Sequence, residues 1–251
     1  MKKIITVIIS TILLALFVGC SKQDAVLDET ITYEVMCEIH SLNVQINAAD
    51  FKIVSADEFL VESNLKYLSV SEENGILNIV DTAKGNSNYH NPILIISVPK
   101  DMVFDNVNIS TGAAKMTVDN LSANSIELKL GAGDVRFESL NASTKADIKG
   151  GAGQITVVSG ILNNLSLEMG MGELNLTAAV LGGSNLKFGV GESNVTLIGS
   201  KEDYKVNIEK GVGSITVDGA PVTHFCGSEN GQNHIEIEGG VGSINLKFQE
   251  K

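Results

Sequence analysis

Between Ile126 and Phe137 the chain reads "IELKLGAGDVRF". Ile126, Leu128 and Leu130 alternate with Glu127 and Lys129, so the even-numbered apolar side chains share one face of a strand. Beyond the glycines the apolar positions are Val135 and Phe137, which are odd. One residue has been added to the alternation, as at a β-bulge or a sharp corner, where glycine lets the backbone bend or reach positive φ. Ala132, between the glycines, keeps the parity of the residues before it and is expected to face inward with them.

The reversal recurs at "IKGGAGQITV", "LEMGMGELNL", "LKFGVGESNV", "IEKGVGSITV" and "IEGGVGSINL". It persists without the full glycine pair at "ISTGAAKMTV" and "INAADFKIV". The expected structural corners are therefore Gly131 and Gly133, Gly151 and Gly153, Gly170 and Gly172, Gly189 and Gly191, Gly211 and Gly213, and Gly240 and Gly242. Their middle residues, with Ala113 first, are Ala113, Ala132, Ala152, Met171, Val190, Val212 and Val241, spaced 19, 20, 19, 19, 22 and 29 apart. A fixed period near 20 marks a solenoid whose units bury their apolar faces only against neighbours. The expected fold is all-β: a β-helix-like β-solenoid with coils of about 19–20 residues, two short strands per coil around a G-x-G corner, and the middle residues in one interior column. An irregular sandwich of hairpins is the second architecture, ranked behind the solenoid because tight hairpin turns such as "SEENGIL", with Asn74-Gly75, appear only near the N-terminus. In "LKFGVGESNV" the next inward place falls on Ser193.

The N-terminus obeys a different pattern. Lys2 and Lys3 precede an apolar run from Ile4 to Val18, which is short for a membrane span and reads as a secretory signal. Its end, "LFVGC", is similar to the lipobox of bacterial lipoproteins, and that similarity implies acylation of Cys20 as the first mature residue. Residues 1–19 are then a signal peptide and 20–30 a lipidated tether. Residues 31–251 form a single repeat domain, less regular over 31–105, regular over 106–218, and closing in a coil with an insertion over 219–251. Acyl chains would hold the protein to the outer side of a membrane, at about 0.8 kcal/mol per buried methylene.

Charge and composition exclude several function classes. The chain has 18 basic and 30 acidic residues, a formal net charge of −12, and no tryptophan. Arg136 is its one arginine. Nucleic-acid binding needs a basic stripe, and bidentate recognition of phosphate needs arginine, so neither is expected. A phosphate loop needs the glycines to open a helix, whereas here each pair leads into another strand. Calcium needs six to eight oxygen ligands. The position after the second glycine offers Asp134, Gln154, Glu173, Glu192, Ser214 and Ser243, an incomplete set of hard donors at twice the period of a calcium-binding β-roll. These acids are expected to be solvated and partly offset by Lys129, Lys149 and Lys187. No metal site, cofactor or catalytic residue is expected. The histidines lack metal spacing; His224, Cys226 and His234, in and beside the insertion, are read as polar loop with one buried thiol rather than a metal or thiol site. Cys37 and Cys226 lie at opposite ends of the array, too far apart for a disulfide, and are expected to be free and buried.

The stretches "LNVQINAADFKIV", "FDNVNISTGAAKMTV", the repeated "GAGD" variants and the closing "GGVGSINLKF" together resemble the bacterial putative-adhesin family of β-strand-repeat domains, over about residues 38 to 248. The resemblance implies an exported, non-catalytic surface module, and offers no catalytic residues to carry over. Some relatives are linked to envelope stress, which implies a sensing or regulatory lipoprotein as the alternative. A β-helix polysaccharide enzyme is a third reading, disfavoured because fold alone confers no activity. The outward positions after each corner, Thr117, Arg136, Thr156, Asn175, Asn194, Thr216 and Asn245, form an expected ladder and a candidate binding face for an envelope protein or glycan. The expected location is extracytoplasmic, on a bacterial membrane surface.

Overall fold

The alternation becomes strand almost throughout. The computed structural model describes residues 24–84 and 87–250, so the expected signal and acylated Cys20 lie outside the described residues. Among the described residues sixteen strands occur: β1 (Val26–Glu34), β2 (Ser41–Ala56), β3 (Leu60–Leu65), β4 (Leu68–Glu73), β5 (Ile76–Asp81), β6 (Ile93–Pro99), β7 (Phe104–Val157), β8 (Gly160–Asn163), β9 (Leu165–Leu181), β10 (Gly183–Ile198), β11 (Tyr204–Glu209), β12 (Val212–Val217), β13 (Ala220–Pro221), β14 (Phe225–Gly227), β15 (Asn233–Glu238) and β16 (Val241–Gln249). Among the described residues the only helical element is a single 3₁₀ turn, Lys201–Asp203.

Through the regular region the pairing is parallel. Ile148 lies beside Leu167 and Leu167 beside Leu186, each residue stacking on its counterpart one repeat away. Leu128, Leu130, Val135 and Phe137, with their equivalents, fill one continuous apolar core. Parallel pairing needs a long return connection, and here the rest of the coil supplies it. Antiparallel hairpins are confined to the two ends, which disposes of a sandwich of hairpins. A third paired segment adds to the two expected per coil: Leu140–Ala142 pairs with Gly160–Leu162, and Ile161–Asn163 with Ala179–Leu181. It contributes few inward residues, Leu140 and Ala142 in one coil, so its alternation is too short to register as a strand in the sequence.

The corner differs from expectation in one respect. The middle residues do stack in a column, Ala152 beside Met171, Met171 beside Val190, and Val190 beside Val241. That column faces outward: Met171 is 59% exposed, Val190 52%, Val241 52% and Val212 73%. The parity change falls two residues earlier than hydropathy suggests. In the coil of Thr111, the inward sequence is Thr111, Ala114, Met116, with Ala114 buried. Where glycine replaces that alanine, no side chain marks the step, and a Cβ at Gly133 would meet the Ala114 carbonyl oxygen of the neighbouring coil.

The two glycines of a pair serve different needs. Gly172 has φ +132°, and a Cβ there would overlap the carbonyl oxygen of Gly153 in the preceding coil. Gly170 lies outside the left-handed region, yet its Cβ would sit 2.5 Å from the Gly151 carbonyl oxygen. The first glycine is there for close backbone stacking, and the second for stacking and positive φ together. The same relation links the equivalent pairs along the stack.

At both ends the coils leave sequence order. Near the N-terminus β2 sits between β7 on one side and β5 and β6 on the other, so the coil of residues 76–99 is outermost. It is covered by antiparallel β4 on β5 and β3 on β6, with β1 on β3. Near the C-terminus the last coil, β15 and β16, lies between β10 and the coil of β11 and β12. Residues 204–217 are therefore outermost at this end, and the insertion after them folds back as cover, β14 on β11 and β13 on β12. Such caps close the exposed strand edges of a repeat stack.

Candidate interaction face

The strand that follows each corner turns its alternate residues outward, and parallel stacking brings like against like. Thr156 lies beside Asn175, Asn175 beside Asn194, Asn194 beside Asn245, and Asn245 beside Thr216. Because of the exchanged coil order, Asn245 rather than Thr216 follows Asn194. The amides are bonded in series: Asn194 Nδ2 donates to Asn175 Oδ1 at 3.1 Å, Asn245 Nδ2 to Asn194 Oδ1 at 2.9 Å, and Thr216 Oγ1 to Asn245 Oδ1 at 2.9 Å. Each amide both donates and accepts, which fixes its orientation. Thr117 stands toward the other end of the molecule, beside Lys52. Arg136 bends along its own strand and pairs with Glu138.

The acids of the neighbouring column are tied to this ladder. Asn175 Nδ2 donates to Glu173 Oε1 at 2.7 Å, and Asn245 Nδ2 to Glu192 Oε1 at 3.4 Å. The lysines expected to offset them lie elsewhere. Lys129 and Lys187 project from the strand before the corner, where they pair with Glu127 at 2.7 Å and Glu238 at 2.8 Å, and Lys149 lies beside Glu168 in the same sheet. The reason is the corner itself, which places the two strands of a coil on different faces. Among the described residues no three His, Cys, Asp or Glu side chains converge as metal ligands would.

A shallow depression of about 310 Å3 opens on the ladder face near the C-terminal end, lined by Asn194, Thr196, Thr216, Gly219, Asn245 and Lys247. Thr196 and Lys247 lie side by side, two residues beyond the ladder asparagines. Sequence reading missed both. The period alone would have suggested this outer column, but not that residue 247 adjoins 196, since that follows from the exchanged coils.

The insertion is a cap rather than a separate site. Cys226 is buried against Val206, and burial pushes its thiol up to about 11. His234 belongs to β15, on the far side of β11 from β14, so His224, Cys226 and His234 do not gather. Cys37, expected to be buried, is exposed and free. It lies in the link between β1 and β2, where Glu72 accepts its backbone N–H at 2.7 Å, and the thiol's own hydrogen bond to that carboxylate, with the carboxylate's negative charge, holds the thiol above its ordinary value. At the N-terminal corner a polar cluster stands where the later coils have glycine. Asn47 Nδ2 donates to Asp81 Oδ2 and to the Tyr89 hydroxyl, each at 3.1 Å, and burial with the Asp81 hydrogen bond pushes the Tyr89 hydroxyl up to about 12.

Among solved structures, a putative adhesin from Bacteroides fragilis shares the fold at a TM-score of 0.50 and 11% identity, the match covering 88% of this chain and 98% of that one. A putative adhesin from Parabacteroides distasonis aligns at a TM-score of 0.45 and 14% identity, over 91% and 100% of the two chains. A putative cell adhesion protein from Clostridium sporogenes aligns at 0.40 and 18% identity, over 88% and 99%. No curated protein matches the chain significantly. The sequence model described as Toastrack DUF4097 matches residues 38–247, nearly the whole of the stacked array and its caps, and the chain belongs to that family.

Proposed function

We propose that the protein is a non-catalytic interaction module displayed on the outer side of a bacterial membrane, held by lipid on Cys20, with the Asn/Thr face as its contact surface. The observation that carries this reading is the hydrogen-bonded series Asn175, Asn194, Asn245 and Thr216, adjoining the depression beside Thr196 and Lys247. Parallel neighbours repeat at about 4.8 Å, so the face presents amides at fixed intervals with their orientation already decided. Preorganisation of that kind lowers the ordering cost of binding an extended polar partner. The single arginine and the net charge of −12 disfavour a nucleic acid, and the row of oriented amides suits a polar cell-envelope glycan or protein. The adhesin descriptions of the structural neighbours are consistent with a surface role.

The test leaves the ladder intact. Thr196→Glu with Lys247→Glu places carboxylates in the depression without touching an inward residue. Binding of the purified chain to isolated cell-wall material is expected to fall at least about ten-fold, with the urea midpoint unchanged. Unchanged binding would remove this face from consideration. Anchoring is checked separately: Cys20→Ser should release the protein from the membrane fraction and abolish fatty-acid labelling.

A further inference from the structure

The exchanged order at the C-terminal end carries a consequence for self-association. The last coil is inserted between two others: Val241 lies beside Val190 on one side and beside Val212 on the other, and the same holds for Ile244 between Ser193 and Ile215. Its corner is all but a copy of its neighbour's, "GGVGSINL" against "KGVGSITV". The coil of residues 204–217 therefore carries the same register signals toward β10 that the last coil uses. What separates them is the single segment of β15 and β16.

The slot is selective. A Cβ at position 240 would overlap the Gly189 carbonyl oxygen, and one at 242 the Gly191 carbonyl oxygen. On the other side, Gly211 and Gly213 approach the carbonyls of Gly240 and Gly242 just as closely. An occupant must therefore bring glycine at both corner positions, apolar residues at the places of Ile244 and Leu246, and an amide at the place of Asn245 to complete the ladder. The C-terminal segment meets every requirement. The intercalated coil at the other end is held differently, because chain leads into β2 from β1, which is pinned on β3, and out of it into β3 itself.

We propose that β15 and β16 can be exchanged between copies, the C-terminal coil of one chain filling the slot of a second and the reverse, to give a domain-swapped dimer. Residues 218–232 act as the hinge: they cover the outermost coil through the short strands β13 and β14 and through backbone bonds of Val222 to Ile215, Ile208 to His224 and Ser228 to Tyr204. Swapping reuses every contact of the closed chain, so the free-energy difference between the two forms lies mainly in the hinge and in concentration. A flexible tether supplies its own segment at an effective concentration of about millimolar, which sets where the dimer competes.

Two full-length variants test this, each also carrying Cys37→Ser: one with Val190→Cys, the other with Val241→Cys. Both positions are exposed, so folding should be undisturbed. The two are unfolded together, refolded at protein concentrations from about micromolar to about millimolar, and oxidised. A mixed disulfide dimer should form in a proportion that climbs with concentration, at least about ten-fold above a control pair of Val103→Cys with Val190→Cys. A yield equal to the control at every concentration would overturn the proposal. Loss of binding at the Asn/Thr face would not bear on it, so the two readings fail independently.

Discussion

At the level of single residues, the glycine pairs make a graded forecast. Gly172→Ala puts a methyl group into the Gly153 carbonyl at a φ of +132°, and is expected to lower the unfolding free energy by about 3 kcal/mol or more. Gly170→Ala meets the Gly151 oxygen at 2.5 Å but with no left-handed strain, and should cost less. Gly183→Ala meets nothing within 4 Å and should be neutral or stabilise by about 0.5 kcal/mol. Urea midpoints of the three variants check the order; equal losses at all three would contradict it. Cys226 adds a pH dependence. Its thiol is raised to about 11 in the folded chain from an ordinary 9.0, so the unfolded state ionises first. The stabilising contribution is complete below pH 9 and disappears as pH climbs toward 11. Cys226→Ala should flatten the loss of stability over that window. The parity reversal at each corner was legible from Leu128, Leu130, Val135 and Phe137. The direction of Ala132 was not, because the residue after it, Gly133, has no side chain to show where the alternation restarts.

At the level of the strand and coil, stability and the interaction face are partly the same object. Asn194 accepts from Asn245 and donates to Asn175, so Asn194→Ala leaves two partners unmatched and should cost about 1–2 kcal/mol. Ser193 makes the opposite case. It is 5% exposed, inward, and stacked between Leu174 and Ile244, in a column otherwise filled by large aliphatic side chains. It also borders a void of about 20 Å3 behind the corner glycines. Ser193→Val should raise stability by about 1 kcal/mol, read by thermal or urea unfolding, since it fills space and removes a buried hydroxyl. Paired strands, the ladder residues and the inward place of Ser193 could all be read from alternation, because each has close copies one period away. The third segment could not, since Leu140 and Ala142 offer too few alternations to stand apart from a loop.

At the level of the whole molecule, the stack is ordered by pairing rather than by sequence, and its two ends mirror each other in that respect. The outermost coils are residues 76–99 and 204–217, each reached before or after a neighbour that lies further inside. The lengthened intervals of 22 and 29 residues near the C-terminus were visible, but a longer interval fits a bulge, a loop or a cap equally well. Only the register of Val241 between Val190 and Val212 distinguishes them, and near-identical corner sequences conceal it. Cross-linking along this exposed column is the most direct test. In a Cys37→Ser background, paired cysteines are introduced at 190 and 241, at 241 and 212, and at 190 and 212. Adjacent parallel strands lie about 4.8 Å apart, within disulfide reach, while strands two apart are near 10 Å and beyond it. The expected result is rapid intramolecular disulfide formation in the first two variants and none in the third. Efficient closure between 190 and 212, with none between 190 and 241, would show the coils stacked in chain order and contradict the architecture described above.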